Sequence, residues 1–104
     1  MPRVRVASLD EVPEGRGHEV VAGGHVIGLF RVGDEVFAID GLCPHSGGPL
    51  STGYLSGTTA VCPWHGWQFD VTTGRHRTSP AICQRTFPVE VEGPDVFLTL
   101  PPAS

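Results

Sequence analysis

Two cysteines and two histidines near the middle of this 104-residue chain have the types and spacing of metal ligands. They occur as Cys43-Pro44-His45 and, after sixteen intervening residues, as Cys62-Pro63-Trp64-His65. Each segment begins with Cys-Pro and has glycine close behind it, which favours a tight turn whose backbone can approach a bound ion. Two thiolates and two imidazoles are an established ligand set for tetrahedral zinc and for one kind of iron–sulfur centre. The spacing therefore predicts a metal centre.

The distribution of the ligands between the two segments helps to choose the metal. Structural zinc sites usually place like ligands on the same turn, as in Cys-x-x-Cys. Here each segment supplies one cysteine and one histidine. This arrangement suits a binuclear centre in which both thiolates bind one iron and both imidazoles bind the other. An iron–sulfur centre is therefore favoured, and a zinc-stabilised interaction module without redox activity is the alternative from another class.

The two segments resemble the cluster loops of the Rieske [2Fe-2S] family, whose pattern is Cys-x-His followed by Cys-x-x-His. The likeness extends over residues 43–50 and 62–70, and Thr73-Gly74 follows as in that family. The resemblance implies one [2Fe-2S] cluster per chain, with Cys43 and Cys62 on the buried iron and His45 and His65 on the outer iron. It also implies that Ser79-Pro80-Ala81 forms a third loop, which shields the cluster from solvent.

The rest of the chain predicts strands. The segments Val26–Val32 and Glu35–Ile39 flank Gly33-Asp34, which is typical of a tight β-hairpin turn. A second turn at Gly93-Pro94 follows a strand expected around Phe87–Val91, and Arg3–Val6 alternates like a half-buried strand. Turn residues instead dominate the middle of the chain. We expect an all-β single domain over residues 1–104: an antiparallel β-sandwich base with an inserted, loop-rich cluster-binding subdomain at about 41–83.

Composition narrows the function. The net charge of −4 does not favour nucleic-acid binding, which needs clustered basic residues. No apolar run has the roughly 20 residues of a membrane span, and the first residues lack a signal-peptide pattern, so we expect a cytoplasmic protein without a membrane partner. No catalytic constellation is visible. The chain is therefore expected to be an electron-transfer component and not an enzyme by itself.

Departures from the respiratory branch of the resembled family refine this expectation. Gly48 and Trp64 stand where that branch has two disulfide-forming cysteines, and Trp67 and Phe69 stand where it has a serine and a tyrosine. Without hydroxyl donors to sulfur, the reduction potential should lie at the low end of the Rieske range, about −150 mV.

Because the chain lacks these features of the respiratory branch, the resemblance implies a soluble ferredoxin. It would carry single electrons from a flavin-dependent NAD(P)H reductase to a terminal oxygenase. The alternative is a small Rieske subunit of a nitrite reductase-like complex, bound to a large redox subunit.

Several other residues have weaker expectations. Cys83 is expected to be a small buried hydrophobe, and His18 and His25 to be solvated. His76 is expected on an exposed strand face, with proximity to the cluster as the alternative. Four aromatic residues are expected to pack the inserted segment and exclude water: Tyr54, Trp64, Trp67 and Phe69.

Overall fold

The computed structural model describes residues 3–42, 48–64, 66–79 and 81–100. Within them the chain forms ten strands and two single-turn 3₁₀ helices, Leu9–Glu11 and Leu50–Thr52. The strands are β1 Arg3–Ser8, β2 His18–Ala22, β3 His25–Val32, β4 Glu35–Asp40, β5 Tyr54–Ser56, β6 Thr59–Val61, β7 Gln68–Asp70, β8 Thr86–Phe87, β9 Val89–Glu92 and β10 Asp95–Thr99. The prediction of an all-β, antiparallel fold is confirmed.

These strands form three antiparallel sheets. The first has the order β1-β10-β9, the second β2-β3-β4-β8, and the third β5-β6-β7. The third sheet lies wholly between residues 41 and 83, and the other two are built from strands outside that range. That residues 41–83 form a cluster-binding subdomain stays a prediction.

The second sheet contributes to two hydrophobic cores, one on each of its faces. The side chains of β3 alternate between the two cores. Ile27 and Leu29 belong to the core shared with β1 and β10, whereas Phe30 belongs to the second core. In β4, Ala38 and Ile39 separate in the same way. Successive side chains of a strand point to opposite faces, so a strand buried on both faces reads as a continuous apolar run. The second core contains Cys62, one of the predicted ligands.

Both predicted hairpin turns are present. Gly33, between β3 and β4, has a φ of 62°, and Gly93, between β9 and β10, has a φ of 58°. The strand expected around Phe87–Val91 is instead divided at Pro88: β8 pairs with β4, and β9 pairs with β10. Proline has no N–H to continue a ladder, which allows the chain to change sheets at this residue.

The strand predicted to begin at Arg3 is present, but its residues do not alternate strictly between the two faces of the sheet. Its pairing with β10 shifts between Arg5 and Ala7, which is a β-bulge. The shift places Ala7 opposite Val96, and Ala7 is buried. No helix among the described residues is long and apolar enough to cross a membrane.

Candidate metal centre

Cys62 is the predicted ligand that the structure describes. It directly follows β6, is only 1% exposed, and packs in the second core with Leu50, Phe69 and Val71. Cys43, His45 and His65 lie outside the described residues. The described geometry is therefore that of Cys62 and of the residues that flank the other three predicted ligands.

The ends of the first ligand segment are held together. Leu42 and Pro49 form an isolated antiparallel bridge across residues 43–47. The backbone N–H of Leu42 also donates to Asp40 Oδ1 at 3.1 Å, and the N–H of Leu50 donates to the carbonyl of Gly48 at 2.9 Å. The segment that carries Cys43 and His45 therefore starts and ends at neighbouring points.

The second ligand segment is closed in a similar way. The backbone N–H of Cys62 donates to the carbonyl of Trp67 at 2.8 Å, which holds these two residues together. Gly66 in this turn has a φ of 69°, a conformation that residues with a Cβ atom rarely adopt. The sequence places a glycine where the turn needs one.

The two closed segments touch each other at Gly48. A Cβ atom added to this glycine would lie 3.0 Å from Cys62 Sγ and 3.2 Å from the Cβ atom of Trp64. The close backbone approach expected from the glycines is therefore confirmed at Gly48. At Gly66 an added Cβ atom would meet no described atom within 4 Å, so the described residues show only the requirement for a positive φ there.

This arrangement fits an iron–sulfur cluster. A buried cysteine thiol lies where the two ligand segments meet, and the first segment approaches it with a residue that has no side chain. Thiolate is the ligand that iron–sulfur clusters use most, and burial restricts solvent access to the sulfur. The described part of the donor set thus suits the buried side of such a centre.

The four aromatic residues divide into two pairs. Phe69 is fully buried and Trp67 is half-buried, with their ring centroids 6.4 Å apart, which fits the predicted packing role. For Trp64 and Tyr54 the expectation of packing is wrong, since they are 50% and 58% exposed. Trp64 lies in the second turn, and Tyr54 begins β5 at the edge of the third sheet.

His76 was expected on an exposed strand face, and this expectation is wrong. The residue is half-buried and lies beside the second ligand segment. It pairs with Phe69 as an isolated bridge, and its ring packs edge-on against Trp67 and Phe69 at centroid distances of 4.8 and 5.2 Å. This position depends on contacts with β7, which the local sequence of residues 74–79 does not reveal.

Gln84 is a residue beside the first ligand segment that sequence reasoning missed. Its side chain is buried, and Nε2 donates to the carbonyls of Asp40 at 3.1 Å and Leu42 at 2.5 Å. Leu42 directly precedes Cys43, so this amide fixes the start of the first ligand segment. A glutamine in a turn-rich region has no sequence signal that would distinguish it from a solvated one.

Cys83 is exposed, so the expectation of a buried small hydrophobe is wrong. Its neighbour Gln84 faces inward, which turns Cys83 outward, and its Sγ lies 3.8 Å from the carbonyl oxygen of Thr73. His18 and His25 are half-buried rather than solvated, and His25 packs edge-on against Phe87 at 5.6 Å.

Two arginines of β1 have raised pKa values because each donates a hydrogen bond to a carboxylate. A hydrogen bond to Glu90 at 2.8 Å raises the pKa of Arg3, and one to Asp95 at 2.8 Å raises that of Arg5. Nearer the ligand segments, Arg77 Nη1 lies 3.6 Å from Asp70 Oδ2. The β1 pairs join strands of the first sheet, so their role is in the base.

A family model described as "Rieske [2Fe-2S] domain" matches residues 3–90. The ferredoxin component of the naphthalene 1,2-dioxygenase system of Pseudomonas aeruginosa is 37% identical, over 93% of this chain and 94% of that protein. The 3-phenylpropionate/cinnamic acid dioxygenase ferredoxin subunit of Escherichia coli K12 is 39% identical, over 99% and 98% of the two chains.

Solved structures are also similar. The ferredoxin of carbazole 1,9a-dioxygenase from Nocardioides aromaticivorans IC177 has a TM-score of 0.86 at 31% identity and covers 94% of this chain and 97% of its own. A chain in a complex of reduced oxygenase and oxidized ferredoxin in carbazole 1,9a-dioxygenase has a TM-score of 0.82 at 32% identity, covering 92% and 91%. A nitrite reductase small subunit from Mycobacterium tuberculosis shares the fold, with a TM-score of 0.88 at 22% identity and coverage of 98% and 97%.

Proposed function

This chain belongs to the Rieske [2Fe-2S] family, and we propose that Cys43, His45, Cys62 and His65 hold one cluster per chain. In this assignment Cys43 and Cys62 bind the buried iron, and His45 and His65 bind the outer iron. The cluster supplies one-electron transfer when it is bound. We also propose that residues 41–83 are the cluster-binding subdomain.

The contact between Gly48 and Cys62 is the observation that carries the site assignment. It joins two segments that are far apart in sequence, and each carries one Cys-Pro and one histidine. The thiol at this contact is buried, while Leu42 and Trp64 on the flanks of the two segments are 46% and 50% exposed. Sulfur on the inside with apolar surface on the rim suits electron transfer to a docked protein.

The chain is an electron carrier and not an enzyme by itself, as the ferredoxin names of its relatives at 37–39% identity support. It passes electrons to a terminal oxygenase, which is consistent with the similarity to a ferredoxin structurally characterised with its oxygenase. A flavin-dependent NAD(P)H reductase supplies the electrons, and the protein works in the cytoplasm.

Two alternatives are less well supported. The nitrite reductase small subunit is only 22% identical, so that likeness concerns the fold. If it applied, the chain would purify in a stable complex with a large redox subunit. A zinc-stabilised module would require the same four ligands without iron, which the family membership does not favour.

The test is anaerobic purification of the full chain, followed by analysis of iron, zinc and sulfide and by electron paramagnetic resonance of the dithionite-reduced protein. Two irons and two sulfides per chain are expected, with an average g-value below that of all-cysteine plant-type clusters, because imidazole replaces two thiolates. A colourless protein with one zinc would refute the assignment.

Electron delivery needs a separate assay. The loaded protein should restore substrate oxidation to a mixture of NAD(P)H, a flavin reductase and the terminal oxygenase of a ring-hydroxylating system. The mixture without this chain is the control, and the chain alone should oxidise nothing. Reduction by the reductase without transfer to any oxygenase would contradict the proposed acceptor.

A further inference from the structure

His76 lies in the segment that follows β7 and pairs with Phe69 of that strand. Its backbone N–H donates to the carbonyl of Ile82 at 2.9 Å, and the next N–H, of Arg77, donates to the carbonyl of Gln68 at 2.9 Å. The backbone at His76 is therefore fixed on both sides. Thr78 and Ser79 follow closely, and Ser79 begins the segment that resembles the third loop.

The side chain of His76 accepts hydrogen bonds from that segment. The backbone N–H groups of Thr78 and Ser79 each donate to Nδ1 at 3.2 Å, and the Thr78 hydroxyl lies at the same distance. Because two amides donate to it, Nδ1 is the acceptor nitrogen of the ring, and the ring hydrogen of the neutral form lies on Nε2. The imidazole thus holds the first turn of residues 76–79.

The same ring also packs against the second ligand segment. The imidazole stands nearly perpendicular to the indole of Trp67, with an interplanar angle of 84° and a centroid distance of 4.8 Å. Such edge-to-face pairs are favourable beyond the area they bury. The carbonyl of Trp67 in turn accepts the N–H of Cys62 at 2.8 Å. One side chain therefore contacts both the third-loop segment and the turn that begins at Cys62.

We infer that His76 is a positioning residue that sets the reduction potential of the cluster. Its Nδ1 atom holds Thr78 and Ser79 in place, and its ring holds Trp67. The Nδ1 contacts determine how closely water approaches the sulfur of Cys62 and the bound cluster, and the ring contact sets the packing around Trp67. Solvent exposure is one of the factors that set iron–sulfur potentials. This inference rests on the proposed cluster and adds the residue that controls its surroundings.

Two substitutions separate the two contacts. In His76→Asn the side-chain oxygen can replace Nδ1 as the acceptor while the ring contact is lost. In His76→Phe the ring contact stays while the acceptor is lost. The same changes at His25, whose ring packs on Phe87 in the base, give matched controls. All variants are made in the full, cluster-loaded chain.

The readouts are the reduction potential, hydrogen–deuterium exchange of residues 77–82 and tryptophan fluorescence. For His76→Phe we expect about tenfold faster exchange of this segment, because the Thr78 and Ser79 amides lose their acceptor. We also expect a higher potential. For His76→Asn we expect exchange and potential near those of the wild type, with altered fluorescence because Trp67 loses its partner. The His25 variants should leave all three readouts unchanged.

The inference would be overturned if His76→Phe had the same hydrogen–deuterium exchange and reduction potential as the wild type. It would also be overturned if His76→Asn had the same exchange and potential as His76→Phe. If His76→Phe holds no cluster, His76→Asn decides alone: wild-type exchange and potential support the role of the acceptor, and faster exchange with a raised potential refutes it. Failure of the proposed function is distinguishable, because the wild type itself would then contain no iron and sulfide.

Discussion

At the scale of single residues, the two described cysteines have opposite environments. Cys62 is 1% exposed at the contact between the ligand segments, whereas Cys83 is exposed and bonds weakly to nearby carbonyls. Their spacing to histidine distinguished them in the sequence, because Cys83 has no histidine partner at the required separation. The environment of each could not be inferred from residue type.

This contrast gives the first prediction. Cys62→Ser should lower the iron and sulfide content about tenfold or more, because ligand binding and folding of the loops are coupled. Cys83→Ser is the matched control and should retain the wild-type content. Metal and sulfide analysis of the purified proteins measures both. Full cluster content in Cys62→Ser would show that this cysteine is not a ligand.

His76 shows where residue-level reasoning reaches its limit. Its neighbours Arg75 and Arg77 suggest a charged, solvated strand, yet its ring packs against Trp67 and Phe69. The contact arises from pairing with β7, a tertiary feature. In contrast, the four proposed ligands were identified from spacing alone, since a Cys-x-His and Cys-x-x-His pair has few uses other than metal binding.

At the scale of elements, two glycines with similar φ angles have different surroundings. Gly33 has a φ of 62° and open space around an added Cβ among the described atoms, whereas Gly74 has a φ of 79° and would place the Cβ 2.3 Å from the carbonyl oxygen of Gln84. The first turn therefore requires only a backbone conformation. The second requires the absence of a side chain as well.

The second prediction compares alanine at these two turns. Gly33→Ala should lower the free energy of unfolding by about 1 kcal/mol, through backbone strain alone. Gly74→Ala should lower it by about 3 kcal/mol or more, since a backbone clash adds to the strain. Urea unfolding of the loaded proteins checks both values, and Gly33→Asn should cost less than Gly33→Ala. Equal costs at the two glycines would contradict the clash.

Gln84 connects β4 to the first ligand segment through two buried hydrogen bonds. The third prediction is that Gln84→Leu lowers the free energy of unfolding by about 2 kcal/mol, because the carbonyls of Asp40 and Leu42 lose their donor. It should also accelerate loss of the cluster's visible absorbance. The exposed Gln68 offers the control, since Gln68→Leu removes no described hydrogen bond. Unchanged cluster loss in Gln84→Leu would separate this residue from the site.

Hairpins were predictable at this scale because their turns carry a local signal. Gly33-Asp34 and Gly93-Pro94 mark both loops, and the strands that directly flank each turn pair as a hairpin. The division at Pro88 was not predictable, because the apolar pattern continues across it and only the pairing partners differ. The bulge in β1 likewise depends on its partner strand.

At the scale of the whole molecule, the second sheet separates a core that supports the base from a core that contains Cys62. The sequence predicted the all-β class from its alternating patterns and turns. It could not assign a strand such as β3 to two layers, because a run of apolar residues does not show which core each face contacts.

The fourth prediction concerns the redox property of the loaded protein. Phe69 is buried in the core with Cys62 and has no hydroxyl, so it cannot donate a hydrogen bond to sulfur. We expect a reduction potential of about −150 mV, the low end of the Rieske range. Protein-film voltammetry at neutral pH measures it. A reduction potential above zero would contradict this prediction, because it would indicate hydrogen bonds donated to sulfur by groups other than residue 69.

The pairing of β1 with β10 has a practical consequence for attaching the carrier to other proteins. Arg3 lies opposite Thr99, so both ends of the described fold emerge from one ladder. That ladder belongs to the sheet that contains none of the strands beside the ligand segments. A reductase or an electrode anchor joined beside Arg3 or beside Thr99 would therefore be attached to the base at the same end of this ladder.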